Sequence, residues 1–176
     1  MKNAGFIATV TFSPGEKINI EKIYEIMSKR LFNISLRIVG NSADAEEIMH
    51  DTLLQYWKSD KKHEIIDIGK WLSSTCIRKS IDKLRERNRW KEFLENYEDP
   101  MLEEPETEVL EYDINTIRTA LSSLPDHYRA IVSLHLFEGY DYQEISQITG
   151  ANENTIRCLY MRGKQKLAAA MKNVRP

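Results

Sequence analysis

The sequence predicts an all-α protein of two small helical domains joined by an acidic tether, and three observations carry that expectation. Gly and Pro are scarce, seven and five in 176 residues, while Leu, Ile, Glu, Lys and Arg dominate; this balance favours helices over a β-sandwich or barrel. Apolar residues recur at helical spacing on both sides of the chain's middle. Between Glu92 and Asp113 almost every charge is negative, and Pro100 and Pro105 fall inside the stretch. Such a segment cannot bury enough apolar surface to fold alone. The expected organisation is therefore an extension over 1–17, a domain over 18–91, a linker over 92–113 and a second domain over 114–172.

In the first domain, Ile23, Ile26, Met27, Leu31, Ile34 and Ile38 predict one or two amphipathic helices up to about Gly40. Asn41, Ser42 and Ala43 form a break, and Asp44 is placed to cap the next helix, AEEIMHDTLLQYWKS. The stretch DKKHEIIDIG, 60–69, reads as a loop, and a further helix begins near Lys70. Ahead of all this, Phe6 to Phe12 alternates enough for a short strand and makes a poor signal peptide. No run has the length needed to span a bilayer. The two cysteines, Cys76 and Cys158, are far apart and outside any CxxC pair, which points to a reducing cytoplasm rather than a disulfide or zinc framework.

In the second domain, 114–124 is helical and Pro125 suits the first turn of the next helix. Gly139 can supply a left-handed cap. Asp141 with Glu144 three residues on has the form of a capping box. Gly150 turns the chain, and Asn152 is the best N-cap for a last helix running to about Met171. On that helix Ile156, Tyr160, Gly163 and Leu167 share one face, whereas Asn154, Cys158, Met161 and Gln165 lie opposite, flanked by Arg157 and Arg162. A short helix, a tight turn and a longer helix with a polar, basic outer face form a helix-turn-helix arrangement, whose second helix enters the major groove of DNA. Asn154 can pair with adenine and Arg157 with guanine, while Arg162 and Lys164 suit phosphates. A helical hairpin with a solvated basic face has the same periodicity, so the pattern alone leaves both readings open.

The run ALSSLPDHYRAIVSLHLFEGYDYQEISQITGANENTIRCLYMRGKQKL resembles the C-terminal promoter-binding domain of bacterial RNA polymerase sigma factors of the sigma-70 family, extracytoplasmic-function (ECF) group. Ala120-Leu121, Leu124-Pro125, Tyr128-Arg129, Glu138-Gly139, Tyr142, Glu144-Ile145, Gly150, Thr155-Ile156-Arg157 and Leu167 carry the likeness. It implies contact with the −35 element through Asn152, Asn154, Thr155, Arg157, Cys158, Met161, Arg162 and Lys164. Cys158, Met161 and Gly163 depart from the family's usual basic and small polar residues.

The first half resembles the same family. DAEEIMHDTLLQYW, Asp44 to Trp57, is similar to its polymerase-binding helix, with His50 where glutamine is common and Leu54 where an aromatic is common. The likeness assigns Asp44, Glu46, Glu47, His50, Asp51 and Leu54 to the clamp-helix hairpin of the largest polymerase subunit. WLSSTCIRKSIDKLRERNR, Trp71 to Arg89, is similar to the promoter-melting helix. There Ile77, Ile81 and Leu84 make an apolar stripe, and Asp82 is spaced to pair with Arg78 and Arg85. With the loop before it, this helix implies −10 contacts from Lys61, Lys62, His63, Trp71, Arg78, Lys79, Arg85 and Arg89, which would capture unstacked bases. Ile66 lies in the same loop. Trp71 is open to two readings, a base-stacking platform or a core anchor. Arg78 stands where asparagine is common and Ile77 where a basic residue is frequent.

An enzyme is disfavoured: Walker A, HExxH and GxSxG motifs are absent, and the four histidines lack metal-ligand spacing. His135, between Leu134 and Leu136, reads as a partly buried core residue. No cofactor, small-molecule substrate or membrane insertion is expected. The resemblance implies core RNA polymerase (clamp helices and the flap of the second-largest subunit), promoter DNA and an anti-sigma factor as partners. The acidic linker is expected to lie in the RNA exit path and, in the free protein, to fold back on the basic helices. The competing readings are a stand-alone helix-turn-helix regulator or response-regulator output protein, and a module that binds polymerase without initiating. The net charge of −2 averages basic helices with an acidic tether and an acidic docking face, and the modest positive charge of 144–167 suits a domain that need not bind DNA alone, because polymerase contacts add effective concentration.

Overall fold

The computed structural model describes residues 19–60, 62–87 and 114–174. The expected strand near Phe6, Lys61, Arg89 and the acidic stretch 92–113 lie outside these residues, as does the side chain of His63. Among the described residues there are seven α-helices, one short 3-10 turn and no strand. The chain divides into two compact units, Met1–Lys83 and Leu84–Pro176.

The first unit contains α1 (Ile20–Val39), α2 (Ser42–Lys58) and most of α3 (Ile68–Glu86). Asn19 caps α1 by accepting from the Glu21 amide, and Gly40, at φ 69°, ends it in the left-handed region, where a residue without Cβ carries no steric penalty. The cap of α2 is Asn41, whose Oδ1 accepts from the Ala43 and Asp44 amides at 2.8 and 3.1 Å. The sequence expectation of Asp44 as cap is therefore corrected by three residues: Asn41 is the first side chain after the left-handed turn able to reach those amides. Likewise α3 starts at Ile68 rather than near Lys70, because Asp67 Oδ1 accepts from the Lys70 amide at 2.9 Å.

Ile23, Met27, Leu31, Ile34 and Ile38 of α1 meet Ala45, Ile48, Leu53 and Tyr56 of α2 and Leu72, Ile77 and Ile81 of α3 in a buried core. Each fully buried Ile or Leu stabilises by roughly 1.5–3 kcal/mol. Small polar side chains knit α1 to α3. Ser80 Oγ lies 3.1 Å from Ser35 Oγ and 2.8 Å from the Cys76 carbonyl, and Cys76 Sγ lies 3.4 Å from the Leu31 carbonyl. The buried Ser35 and Ser80 hydroxyls thus satisfy one another, whereas the buried Ser73 Oγ on the same helix has no partner. Neither cysteine is in a disulfide.

The second unit contains α4 (Ile114–Ser122), α5 (Asp126–Leu136), α6 (Tyr142–Thr149) and α7 (Glu153–Val174). Helix α7 packs on α4, α5 and α6 and buries Ile156, Leu159, Tyr160, Leu167 and Met171 against Leu121, Ile131, Leu134 and Ile145. Pro125 sits just before α5 and offers no capping side chain. Buried Arg129 instead reaches back, donating to the Leu124 carbonyl at 2.7 Å and to Asp126 Oδ1 at 2.6 Å. Gly139, at φ 74°, turns the chain so that the Tyr140 amide donates to the Leu134 carbonyl at 3.0 Å. The Asp141–Glu144 capping box is formed in both directions. Gly150, also at φ 74°, closes α6 with its amide on the Ser146 carbonyl at 2.8 Å. Asn152 caps α7 as expected, its Oδ1 accepting from the Thr155 amide at 2.8 Å.

Candidate nucleic-acid and partner interfaces

On α2, the core-facing residues leave two outward strips a third of a turn apart. Asp44, Glu47 and Asp51 form the first, and α3 supplies counter-charges to it. Lys83 Nζ lies 2.9 Å from Glu47 Oε2 and 3.8 Å from Asp44 Oδ1, and Lys79 Nζ lies 3.8 Å from Asp51 Oδ2. Exposed pairs of this kind are worth at most about 1 kcal/mol, so an incoming charged surface can exchange with them. Sequence spacing did not reveal these pairs because α2 and α3 are 36 residues apart at the Lys83–Glu47 contact. Lys79 was expected to face DNA and here faces Asp51.

The second strip is Glu46, His50, Leu54 and Trp57, all exposed. Leu54 keeps 49% and Trp57 43% of its surface in water. From α1, the half-exposed Tyr24 stacks on His50 with ring centroids 6.3 Å apart. The strip therefore carries one carboxylate on an otherwise aromatic and apolar patch. Tyr24 and Trp57 are the residues that sequence reasoning left without a site; the available signal was a large aromatic outside the apolar period of its helix.

The loop between α2 and α3 begins pinned. Lys62 Nζ sits 5.0 Å from the Trp57 ring centroid and 3.4 Å from the Trp57 carbonyl, so its charge meets the negative end of the α2 dipole. Ile66 follows with 92% of its surface exposed, an apolar side chain held in water. Trp71 is half-buried and lies tilted on buried Tyr56 at 5.8 Å. It anchors the start of α3, as the core-anchor reading expects, and stays partly exposed. Burial raises the pKa of the Tyr56 hydroxyl. Arg78 and Arg85 are exposed on α3, beside the buried Ile77, Ile81 and Leu84 stripe.

In the second unit, the first two turns of α7 expose Asn152, Asn154 and Arg157, with Thr155 and Cys158 half-buried behind them. Arg157 Nη2 lies 3.6 Å from Glu153 Oε1 one turn earlier. Arg162 and Lys164 are half-exposed farther along. Met161 departs from expectation: helical spacing places it opposite the core stripe, yet only 8% of it is exposed, so it is not presented to solvent as its neighbours are. Gly163 belongs to the packing. A Cβ there would lie 2.6 Å from Val132 Cγ2 and 3.4 Å from Tyr128 Cβ, so its hydrogen lets α7 approach α5 closely.

His135 is half-buried as expected, its Nδ1–H donating to the Tyr140 carbonyl at 2.8 Å. His127 is lowered from the ordinary 6.5 to about 4, chiefly by burial, with nearby Lys166 and Arg129 adding to the effect and Asp126 opposing it. It is neutral at physiological pH. Among the described residues, no group of three or more His, Cys, Asp or Glu is placed to hold a metal ion, and no helix is long and apolar enough to cross a membrane.

Along the chain, a three-helix unit with a basic third helix is followed by a helix-turn-helix unit, the two-part helical arrangement of the sigma-70 class. The family pattern described as Sigma-70 region 2 matches residues 23–90, and that described as Sigma-70, region 4 matches residues 114–167. The chain belongs to the sigma-70 family of RNA polymerase sigma factors, in the extracytoplasmic-function group. It is 29% identical over 143 residues to the ECF RNA polymerase sigma factor SigE of Mycolicibacterium smegmatis, covering 78% of this chain and 56% of that one. It is 20% identical to SigM of Bacillus subtilis, covering 86% of this chain and 94% of that one. The chain thus spans little more than half of the first relative and nearly all of the second. Two solved structures share the fold: the sigma factor RpoE in complex with the anti-sigma factor NepR from Bartonella quintana (TM-score 0.56, 19% identity, covering 88% of this chain and 98% of that one), and Mycobacterium tuberculosis SigJ (TM-score 0.52, 20% identity, covering 85% and 53%). The stand-alone regulator and response-regulator readings are not favoured. Sigma factors are not enzymes.

Proposed function

We propose that this protein works in the cytoplasm, without chemistry or cofactor of its own, by bringing core RNA polymerase to a set of promoters. Core polymerase docks on α2. The aromatic strip of Tyr24, His50, Leu54 and Trp57, with Glu46, forms the apolar centre of that contact, and Asp44, Glu47 and Asp51 form its charged rim. Leu136 and Phe137, exposed apolar residues at the end of α5, provide a docking point for the polymerase flap. The loop from Lys61 and His63 through Ile66, with Trp71, Arg78, Arg85 and Arg89, contacts the opened −10 strand, while Lys79 serves the α2 face through Asp51. Asn152, Asn154, Thr155, Arg157, Arg162 and Lys164 contact the −35 duplex, with Cys158 at the edge of that surface. An anti-sigma factor holds the protein inactive by covering one or both of these faces. In support, the RpoE sigma factor of Bartonella quintana forms a complex with such a factor, NepR.

The observation that carries this reading is the exposure of Asn154 and Arg157 on a capped, well-packed second helix of a helix-turn-helix, in a chain that also matches Sigma-70 region 2. It is tested by competition for core polymerase between this protein and a labelled housekeeping sigma factor. Leu54→Glu and Trp57→Glu should weaken competition by about tenfold or more, the size expected for residues near the centre of an interface. Asn154→Ala with Arg157→Ala should leave competition unchanged while reducing promoter binding. Unchanged competition by both α2 variants would remove the proposed docking face.

A further inference from the structure

Tyr142 opens α6, lies off the outward face of α7 and has no part in the contacts assigned above. Its ring centroid nevertheless lies 5.4 Å from the Arg157 guanidinium carbon. Arg157 is thus held by two groups, the Tyr142 ring and the Glu153 carboxylate at 3.6 Å. The two act differently. A carboxylate accepts the same N–H donors that a guanine O6 and N7 would need, and it repels the phosphates nearby. A ring attracts the whole cation through its quadrupole without satisfying those donors one by one.

The ring is itself fixed. His135 stacks on it at 4.8 Å with planes 21° apart, and Tyr160 lies tilted against it at 5.7 Å. The Tyr160 and His135 rings meet in a T-shaped contact at 4.4 Å, and His135 is tied to the Tyr140 carbonyl at 2.8 Å. A residue from each of α5, α6 and α7 therefore contributes to one aromatic cluster whose outer member faces Arg157.

We infer that Tyr142 is a positioning residue, seating Arg157 for base reading and so setting the base preference at one position of the −35 element. The inference rests on the reading of α7 as the −35 helix. It also gives Glu153 a subordinate place, since the carboxylate must release Arg157 when a base takes its donors.

The test uses holoenzyme, reconstituted from the full chain and bacterial core polymerase, selecting from promoter fragments randomised across the −35 region. Arg157→Ala should abolish the base preference at one position. Tyr142→Leu should reduce the preference at that same position by about two- to fivefold, the effect of one exposed cation–π contact, and leave other positions unchanged. Tyr142→Phe should keep it. Adding Tyr142→Leu to Arg157→Ala should change nothing further, because the ring acts only through the arginine. If leucine unfolds the domain by circular dichroism, Tyr142→pentafluorophenylalanine keeps the ring's volume and reverses its quadrupole, with the same expected loss. The inference is overturned if preference at the Arg157 position survives loss of the π face, if all positions fall together, or if the double variant is additive. If Arg157→Ala itself leaves −35 selection intact, the reading of α7 fails, and the inference with it.

Discussion

Replacing Gly163 by alanine puts the packing of the recognition helix to a quantitative test. The added Cβ would stand 2.6 Å from Val132 Cγ2. Reaching an ordinary contact of 3.4 Å needs a shift of about 0.8 Å by α7 or by the valine. Val132 is fully buried, and a β-branched side chain in a helix has one strongly preferred rotamer, so the valine has little room to turn aside. Overpacking of this kind costs about 1–3 kcal/mol. Helix propensity works against that loss, favouring alanine over glycine by about 1 kcal/mol. The net expectation is a loss of up to about 2 kcal/mol, and truncation of the opposing side chain should reverse it. Val132→Ala removes Cγ2, so the double variant should be more stable than the two separate losses add up to, with a coupling of about 1–2 kcal/mol. Tryptophan fluorescence is the wrong probe, because Trp57, Trp71 and Trp90 all precede the second unit's first helix. Hydrogen exchange at the α5 and α7 amides reads the right region. Additive single effects, or a Gly163→Ala variant more stable by the full propensity difference, would refute the close approach of α7 to α5.

Three further outcomes are expected. The second unit should lose stability as pH falls from about 6.5 towards 4, because the unfolded chain protonates His127 in that window while the folded one, with a pKa of about 4, does not. His127→Gln should flatten that part of the profile, and an unaltered slope between about pH 6.5 and 5 would count against it. Asp141→Ala removes one half of the α6 capping box and should cost about 0.5–2 kcal/mol, read as faster exchange at the first amides of α6. Arg129→Met removes charged hydrogen bonds to Leu124 and Asp126 and should destabilise the second unit by about 2 kcal/mol, measured by urea denaturation followed by far-UV circular dichroism.

The parts of this fold legible in the sequence are those set by neighbours a few residues apart. The Asp141–Glu144 box, the left-handed glycines and the Asn152 cap each depend on groups within three or four positions of one another, so spacing sufficed. The apolar stripes of α1, α3 and α7 followed from the helical period for the same reason, except that Ile26, counted in the α1 stripe, is exposed. Reasoning by residue type failed where two residues competed for one role. Asp44 and Asn41 are both good caps, and only the backbone turn after Gly40 selects Asn41. Long-range pairings were not legible at all. Lys83 meets Glu47 across 36 residues, and nothing local marks it as a partner for an acidic strip. The period places Gly163 on the core face of α7, but nothing local marks Val132 as the side chain opposite it. Met161 has an outward angle on α7, but burial depends on what lies around a helix as well as on its own period. At the candidate site, the exposure of Asn154 and Arg157 was legible because they sit on the outer side of one helix, whereas the contacts of Tyr24 with His50 and of Tyr142 with Arg157 join different elements and are not marked by local spacing.

Redirection of core RNA polymerase is the property on which everything above depends, and it can be read directly from where transcripts begin. Core polymerase alone, and core polymerase with this protein, would each transcribe a genomic template library, and the 5′ ends of the transcripts would be mapped. New start sites should appear only with the protein, share −35 and −10 sequence elements at a constant spacing, and be used less with Leu54→Glu. Failure of the protein to bind core polymerase, together with start sites identical to those of core polymerase alone, would contradict its assignment as a promoter-selecting factor.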